Sequence, residues 1–375
     1  MSRLAGRLAI FGRAVPRLVG KPWRRRPAMP RRILIAHHLL LGDTLMLTPL
    51  LAKLRRSHPA ADIVFACPKA VAPLYAGRPY GVDAQPFDPR DPRSVRALLA
   101  QGPFDLAIVP GDNRHAWLAL AAGSRWIVAH TDDIPAWKNW PVDEAVPYPH
   151  SPCAWGDMAA QLADGAAPAP YDPTAWPAPP HAPFAQPDGP YAVLHLGASS
   201  PLKLWPAERW LALADWLAAR GVAPVWSGGP NETALVAAAD PQQRHVSLAG
   251  QLDLPQLWAL LAGARLLVCP DTGVAHLARL VGTPTVALFG PGSPQISGAG
   301  EFWRDSPFIA LSAPIPCRDQ TVLFRRERAW IQRCGRGVAD CPLHDDPAQC
   351  MRRLSLAQVC ESAVRLLTGE APCAS

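Results

Sequence analysis

A carboxylate that follows a glycine early in the chain has the setting of a general base. Leu41-Gly42-Asp43-Thr44 comes shortly after the apolar run at residues 33–36. We expect Gly42 to let the backbone turn sharply at the end of a strand, which places Asp43 at or near a helix N-terminus. A carboxylate in that position can deprotonate a hydroxyl group. Taken alone, the motif favours a plain helix N-cap, a role that Asp performs well.

A second group of polar residues lies at residues 269–276, with the sequence Cys-Pro-Asp-Thr-Gly-Val-Ala-His. The spacing places Asp271, Thr272, Gly273 and His276 over the first turn of a helix that follows a strand. Free N–H groups and the helix dipole make such a turn a site for a diphosphate. The alternative for His276 is a histidine packed inside the fold.

Two other loops after predicted strands carry one charged residue each. Lys203, in Lys-Leu-Trp-Pro, can neutralise a departing nucleotide diphosphate, or it is a solvated lysine. Glu232 follows the glycine turn at residues 227–229. It can bind a ribose hydroxyl, as acidic residues do in nucleotide-binding folds, or it caps the helix that follows.

The elements that must position these residues alternate between short apolar runs and helical patterns. Helices are predicted over residues 43–57, 207–220, 272–281 and 354–367. This alternation predicts an α/β fold with parallel sheets covered on both faces, and ligands bind such sheets outside the carboxyl ends of the strands. Strands are predicted at residues 33–36, 62–66, 105–109, 126–129, 191–196, 223–226, 266–269 and 285–289.

Proline divides the chain. Residues 165–190 contain nine prolines, too many for a helix or a central strand, and this segment is predicted to be a semi-rigid linker. Both flanking domains are predicted to be Rossmann-like, with parallel sheets that face each other across a cleft. The predicted organisation is a basic arm at 1–30, an N-terminal domain at 31–164, the linker at 165–190, a C-terminal domain at 191–353, and a final helix and tail at 354–375.

The basic charge is confined to the N-terminal arm. Residues 1–32 hold ten of the 37 basic residues and no acidic residue, and the remaining chain carries 27 basic and 30 acidic residues. This distribution argues against a nucleic-acid-binding surface on the body of the protein. In the arm, Arg alternates with apolar residues, which fits either attachment to an anionic membrane surface or a solvated tail. Arg7 and Arg13 interrupt any signal-peptide-like run, and no apolar run reaches the roughly 18 residues of a membrane span.

Nine cysteines, an odd number without an export signal, predict reduced thiols and a cytoplasmic location. Late in the chain, thiolates could hold a structural Zn or Fe ion. The spacing lacks a Cys-x-x-Cys pair, so ordinary thiols are slightly favoured. The late cysteines in question are Cys317, Cys334, Cys341 and Cys350.

The motifs taken together, in their order and spacing, resemble the ADP-heptose:lipopolysaccharide heptosyltransferase family, glycosyltransferase family 9. The resemblance covers residues 31–365 and implies a GT-B fold with an N-terminal acceptor domain and a C-terminal nucleotide-sugar domain. The matching motifs are Leu-Gly-Asp at 41–43 with Thr-Pro at 48–49, Lys-x-Trp-Pro at 203–206, Gly-Gly-x-x-Glu at 228–232, Asp-Thr-Gly-x-x-His at 271–276, Gly-Thr-Pro at 282–284 and Phe-Gly-Pro at 289–291.

The resemblance also implies an activity. It implies inverting transfer of a heptose or related sugar from ADP-heptose to a lipopolysaccharide core or another glycan, with no cofactor required. By matching position, Asp43 would be the base and Lys203 a phosphate contact, and Arg114 resembles an arginine that contacts acceptor anions. The residues implied to line the donor site, or to shape the turn beside the base, are Glu232, Asp271, Thr272, Gly273, His276 and Gly42.

One segment departs from the family pattern. The family has Arg, one residue and Ser-Ser before Leu-Gly-Asp, whereas this chain has His37-His38-Leu39-Leu40. The loss of the hydroxyls leaves a catalytically silent nucleotide-sugar-binding scaffold open as an alternative, although the retained Asp43 and Lys203 oppose it. A sugar-nucleotide epimerase of the same architecture also stays open, but it requires a second acid that the sequence does not clearly supply.

Overall fold

The computed structural model describes residues 3–343 and 345–369, and these residues form two compact units. The first unit contains the described residues of Met1–Ala169, together with Thr174–Pro179 and Val322–Trp330. The second unit contains Pro170–Pro173, Pro180–Thr321 and the described residues of Ile331–Ser375. The proline-rich segment 165–190 therefore supplies short pieces to both units. Trp176, for example, is buried in the first unit, where its Nε1 donates to the Leu74 carbonyl at 3.0 Å.

A six-stranded parallel sheet forms the centre of the first unit, in the order β3-β2-β1-β4-β5-β6. This is the strand order of dinucleotide-binding folds, which reverses between β1 and β4. Ile33, Leu34 and Ile35 are completely buried, as expected of a central parallel strand with helices on both faces. The strands are β1 Arg32–Ile35, β2 Asp62–Cys67, β3 Val82–Pro86, β4 Leu106–Val109, β5 Trp126–His130 and β6 Glu144–Val146.

The helices of the first unit differ from the prediction at one place. The helix predicted over residues 43–57 is two helices, separated at Met46 and Leu47. Pro49 lies in the first turn of the second helix, where its missing N–H is tolerated, and it cannot continue a helix from the preceding turn. The helices are α1 Arg3–Leu18, α2 Leu41–Leu45, α3 Thr48–Ser57, α4 Pro92–Ala100, α5 Arg114–Ala121 and α6 Trp155–Ala160.

The second unit repeats the same sheet, in the order β12-β11-β10-β7-β8-β9. Its first and fourth strands, β7 and β10, are neighbours at the point where the order reverses. The strands are β7 Tyr191–His195, β8 Ala223–Ser227, β9 Val246–Ser247, β10 Leu266–Pro270, β11 Thr285–Phe289 and β12 Phe308–Ser312. The helices are α7 Ala207–Ala218, α8 Thr233–Ala239, α9 Leu254–Gly263, α10 Gly273–Val281, α11 Pro294–Ser297, α12 Gln349–Arg352 and α13 Leu356–Thr368.

The basic arm is folded onto the first unit. Helix α1 packs against α4 and α5, and Ala14 is completely buried in that contact. Past the helix, Lys21 Nζ donates to the Trp140 carbonyl at 2.7 Å, and Arg24 pairs with Asp143 at 3.2 Å. The described part of the arm is therefore structured and not a solvated tail. In the part of the chain that the structure describes, no helix is both long and apolar enough to cross a bilayer.

A small hairpin from late in the chain belongs to the first unit. Strands β13 Val322–Leu323 and β14 Arg326–Glu327 pair antiparallel across a two-residue turn. The turn residues, Phe324 and Arg325, have φ angles of 46° and 63°. Two left-handed residues match the tight turns that suit a twisted hairpin. Left-handed geometry is disfavoured for bulky side chains, so contacts elsewhere must hold the hairpin in place.

Candidate active site

The loop after β1 carries the predicted base. Asp43 lies in the first turn of α2, and Trp155 Nε1 donates to its backbone carbonyl at 3.1 Å. The hydroxyl of Thr44 donates to the Leu39 carbonyl at 3.3 Å. The carboxylate therefore belongs to a short helix whose backbone is held from two sides, beside the point where the sheet order reverses.

Gly42 does not make the predicted sharp turn. It lies inside α2, where its carbonyl accepts from Met46 N at 2.9 Å, and it is not among the described glycines with a left-handed backbone. The chain leaves β1 through residues 36–40, which have no regular structure. The conformational reason given for Gly42 was therefore wrong.

The two leucines that replace the family's serines have different surroundings. Leu39 lies against Gly111, where its Cδ2 would be 3.4 Å from an added Cβ, and Phe324 would be 3.6 Å from the same atom. Phe324 also packs on Trp155, with ring centroids 4.4 Å apart. Leu40 is 71% exposed. The hairpin therefore contributes an aromatic ring to the surroundings of Asp43, through Trp155.

A buried arginine anchors the hairpin. Arg326 is 1% exposed, and its nearest carboxylate, Asp133, is 4.0 Å away. Burial lowers its pKa, while nearby acidic groups, Asp133 first, act in the opposite direction. Five donated hydrogen bonds satisfy the guanidinium instead. They go to the carbonyls of Thr131, Gly111, Phe324 and His130 and to Oδ1 of Asn113, over 2.6–3.1 Å.

The second unit brings together the two charged residues predicted from separate motifs. Lys203 Nζ donates to Asp271 Oδ2 at 2.7 Å and to the Asp271 backbone carbonyl at 2.9 Å. Lys203 ends a short 3-10 turn after β7, and Asp271 directly follows β10. These strands are neighbours at the sheet reversal, which explains why residues 68 positions apart meet.

The N-terminus of α10 carries several of the predicted donor-site residues. Thr272 is the N-cap residue, but its side chain accepts no cap hydrogen bond. His276, one turn on, is 7% exposed. Burial, then the charges of Arg279 and Lys203, hold its pKa well below the usual value, so the ring is neutral at pH 7. The structure thus places Asp271, Thr272, Gly273 and His276 around one helix end with Lys203.

Glu232 is positioned by glycines. Its Oε2 accepts from Gly229 N at 2.6 Å, and a Cβ added to Gly197 would lie 1.7 Å from the same oxygen. Gly197 follows β7, so the carboxylate leans over the loop that leads to Lys203. Glu232 is also the N-cap residue of α8, but its side chain makes no cap hydrogen bond. The predicted capping alternative is not what the structure shows.

The late cysteines are not arranged as a metal site. Cys317, Cys334, Cys341 and Cys350 are free thiols, and Arg318 lies within electrostatic range of all but Cys341. Among residues 3–343 and 345–369, no group of three Cys, His, Asp or Glu side chains is placed to hold a metal ion. The geometry does not fit the structural Zn or Fe ion that the sequence left open as the less favoured alternative.

Several residues of these surroundings were not found from the sequence. Phe324 and Arg326 lie in a segment with no hairpin signal, and Trp155 reads as an ordinary apolar residue. Gly197 was part of a strand-end motif, but its closeness to Glu232 depends on the pairing of β7 with β8. Such contacts depend on which strands are neighbours, which the local sequence does not state.

Known proteins resemble this chain over most of its length. Residues 93–321 match the model of glycosyltransferase family 9 (heptosyltransferase). Lipopolysaccharide heptosyltransferase 1 of Pseudomonas aeruginosa is 27% identical over 320 residues, which cover 78% of this chain and 88% of that protein.

Solved structures share the fold. The family 9 glycosyltransferase of Veillonella parvula aligns with a TM-score of 0.68 at 20% identity, over 91% of this chain and 98% of that one. ADP-heptose heptosyltransferase II of E. coli aligns with a TM-score of 0.65 at 20% identity, over 91% and 99%. The motifs at the two sheet reversals and the family match agree, and the chain therefore belongs to glycosyltransferase family 9, the heptosyltransferase family, and is a glycosyltransferase.

Proposed function

We propose that this enzyme transfers a heptose from ADP-heptose to a lipopolysaccharide core sugar, with inversion at the anomeric carbon. The observation that carries the proposal is the Lys203–Asp271 pair at the N-terminus of α10, where the Thr272 side chain makes no cap hydrogen bond. A cation, a helix N-terminus and the Thr272 hydroxyl match the phosphate oxygens of a nucleoside diphosphate. The names of the relatives in P. aeruginosa and E. coli support the sugar and the acceptor.

The second unit supplies the donor contacts in this proposal. Lys203 binds the diphosphate, and Asp271 fixes the position of the ammonium group beforehand. Thr272 and the amides at the start of α10 bind phosphate oxygens, while His276 stays neutral, so Lys203 supplies the positive charge. Glu232, held over the loop after β7, binds a ribose hydroxyl, which is the usual role of such an acid in nucleotide-binding folds.

The first unit supplies the base. The acceptor oxygen attacks the anomeric carbon, and the Asp43 carboxylate takes the hydroxyl proton. The bond between the anomeric carbon and the phosphate oxygen breaks, and its electron pair leaves on ADP. Lys203 and the α10 amides stabilise the charge that develops there. Attack from the side opposite the leaving group gives the inverted product.

We also propose that the enzyme works at the cytoplasmic face of the inner membrane as a peripheral protein. The arm exposes apolar side chains to solvent, both on α1 and after it. Those at least half exposed are Leu4, Leu8, Val15, Val19, Trp23 and Met29. Arginines lie among them, and a basic amphipathic surface binds anionic lipid. The free thiols of the described residues support a reducing compartment.

The proposal is tested with Asp43→Ala. Loss of a general base lowers kcat by about 10²–10⁴-fold, while ADP binding measured by calorimetry stays unchanged. Asp91→Ala is the matched control, because Asp91 caps α4 in the same unit and its loss should leave kcat as it is. Undiminished turnover in Asp43→Ala would contradict the base assignment. Preference for UDP- or GDP-sugars over ADP-heptose would contradict the donor, and binding of no nucleotide sugar would contradict the transferase function altogether.

A further inference from the structure

A cavity of about 600 Å³ lies under helix α1 in the first unit. Its volume is in the range of small-molecule sites. One wall is α1 itself, and the others are α5 and the loops after β1, β3 and β5. It borders the loop after β1 that also leads to Asp43, but the proposed mechanism uses none of its lining residues.

The lining of the cavity separates into an aromatic part and a cationic part. Phe11 of α1 packs on Trp117, with ring centroids 5.0 Å apart, and lies 6.3 Å from the ring of Trp137. Ile10, Phe87 and Leu118 extend this apolar surface. The rest of the lining carries Arg7, Arg90 and Arg114.

The charge in the cavity is positive and largely unpaired. The guanidinium groups of Arg7 and Arg90 bond to none of the residues that the structure describes. Arg114 is paired with Asp112 at 2.8 Å. Two histidines also line the cavity, and burial lowers the pKa of His38, and that of His115 to about 4, so both are neutral at pH 7. Asp88, 4.0 Å from His38, is the nearby carboxylate on that side.

The position of α1 connects the cavity with the exposed apolar face of the arm. Leu4 and Leu8 are 61% and 64% exposed, and they lie on the same helix as Arg7, Ile10 and Phe11. A molecule that enters beneath this helix meets exposed apolar groups outside, free arginines at the mouth and aromatic rings inside. That order matches a phosphate attached to an apolar chain.

We propose that this cavity binds a single phosphorylated membrane lipid, with its phosphate at Arg7 and Arg90 and its acyl part against Phe11, Trp117 and Trp137. The inference rests on the proposed function at a membrane surface. The occupied site ties α1 to the bilayer and orients the first unit toward a lipid-linked acceptor.

Calorimetry with dihexanoyl phosphatidic acid, below its micelle concentration, tests the proposal on the full chain. Wild-type protein should bind it, and Arg7→Ala/Arg90→Ala should bind at least tenfold more weakly. Arg13→Ala/Arg93→Ala is the matched control, because it removes two exposed arginines from α1 and α4 that do not line the cavity. Ile10→Trp, which fills the apolar part, should also lose lipid binding while the melting temperature shows an intact fold.

Other ligands test whether the cavity selects a phosphorylated lipid. Equal affinity for inorganic phosphate would show an anion site without a lipid, and equal affinity for dihexanoyl phosphatidylcholine would show an apolar site without charge selection. Absence of binding, or equal weakening by both double variants, would overturn the proposal as well. Binding of ADP by the same samples reports separately on the donor site, so failure of the transferase proposal and failure of the lipid site are distinguishable.

Discussion

Lys203 is the residue whose role depends most on its partner. Its ammonium group is held by a carboxylate and a carbonyl of the same residue, Asp271, and it keeps a third donor for a ligand. A lysine free in solvent would lose side-chain entropy on binding a diphosphate. The ion pair therefore both neutralises Asp271 and positions the cation before the donor arrives.

We predict that Lys203→Met weakens ADP binding by about 10–100-fold, the loss expected when a charged hydrogen bond is removed. Part of the loss comes from the Asp271 carboxylate, which would then face the diphosphate without its cation. Calorimetry measures the affinity, and Lys203→Met/Asp271→Asn should recover part of it because the repulsion is gone. No recovery in the double variant would mean that Asp271 does not face the ligand.

Gly197 is predicted to act through Glu232. A Cβ at position 197 would occupy the space of the carboxylate, so Gly197→Ala should displace it and weaken ADP binding by about tenfold, a typical effect of one lost polar contact. In a Glu232→Ala background the same substitution should have almost no further effect. Additive losses in this double-mutant cycle would show that Gly197 acts by another route.

At the scale of elements, the hairpin β13–β14 is held by hydrogen bonds from the buried Arg326 side chain. Most buried arginines pair with a carboxylate, whereas Arg326 is satisfied mainly by backbone carbonyls. These bonds stabilise the hairpin against the strain of left-handed Phe324 and Arg325, which costs of order 1–3 kcal/mol for each such residue. The position of the Phe324 ring, which packs on Trp155, therefore depends on Arg326, two residues further along the chain.

We predict that Arg326→Met destabilises the first unit by about 3–5 kcal/mol, because it removes the cation and leaves several buried acceptors unsatisfied. Arg325→Met, at the exposed tip of the same hairpin, should change the free energy of unfolding by no more than about 0.5 kcal/mol. Urea unfolding followed by circular dichroism measures both. Similar stability of the two variants would contradict the anchoring role of Arg326.

The contrast between these elements explains what sequence could predict. Strands β1, β4 and β10 are continuous apolar runs because both faces are covered, and they were found. Edge strands β3 and β6 are partly exposed and mixed in composition, and they were not. The hairpin turn carries Phe-Arg where Asn-Gly is the usual signal.

Some contacts of the candidate site could likewise be predicted from the sequence, and others could not. Lys203 and Asp271 could be predicted to meet, since both follow strands at the sheet reversal of a recognisable fold. Helix α1 could not be placed, because the rings that it covers, Trp117 and Trp137, are about a hundred residues away in sequence. The composition of the arm fits both a membrane-bound segment and a solvated tail.

At the scale of the whole molecule, the two units repeat one strand order and place their motif loops at equivalent points. Each unit also has one strand that ends in a buried histidine. His195 ends β7 and is 5% exposed, and His130 ends β5 and is 1% exposed. Burial lowers the pKa of each from 6.5 to about 4. Each unit therefore contains an imidazole that is neutral in the folded state at pH 7 and whose protonation disfavours that state.

This burial predicts acid sensitivity of the fold in a defined window. Between pH 6.5 and 4 the unfolded chain binds a proton at His195 and the folded chain does not, so the free energy of unfolding falls as the pH falls; the contribution is fully present above pH 6.5. For one such histidine the loss between pH 7 and pH 5 is about 2 kcal/mol.

His195→Gln tests the prediction, since glutamine can still bond to Ser227 Oγ, which lies 3.1 Å from His195 Nδ1, but it does not titrate. Urea unfolding of the second unit at pH 7, 6 and 5 should show a shallower pH dependence in the variant than in the wild type, by about the contribution of one proton. Parallel pH profiles would mean that His195 takes up a proton in the folded protein as readily as in the unfolded chain. The buried end of β7 would then contain a charged imidazole close to the loop of Lys203, which would increase the attraction for a diphosphate as the pH falls.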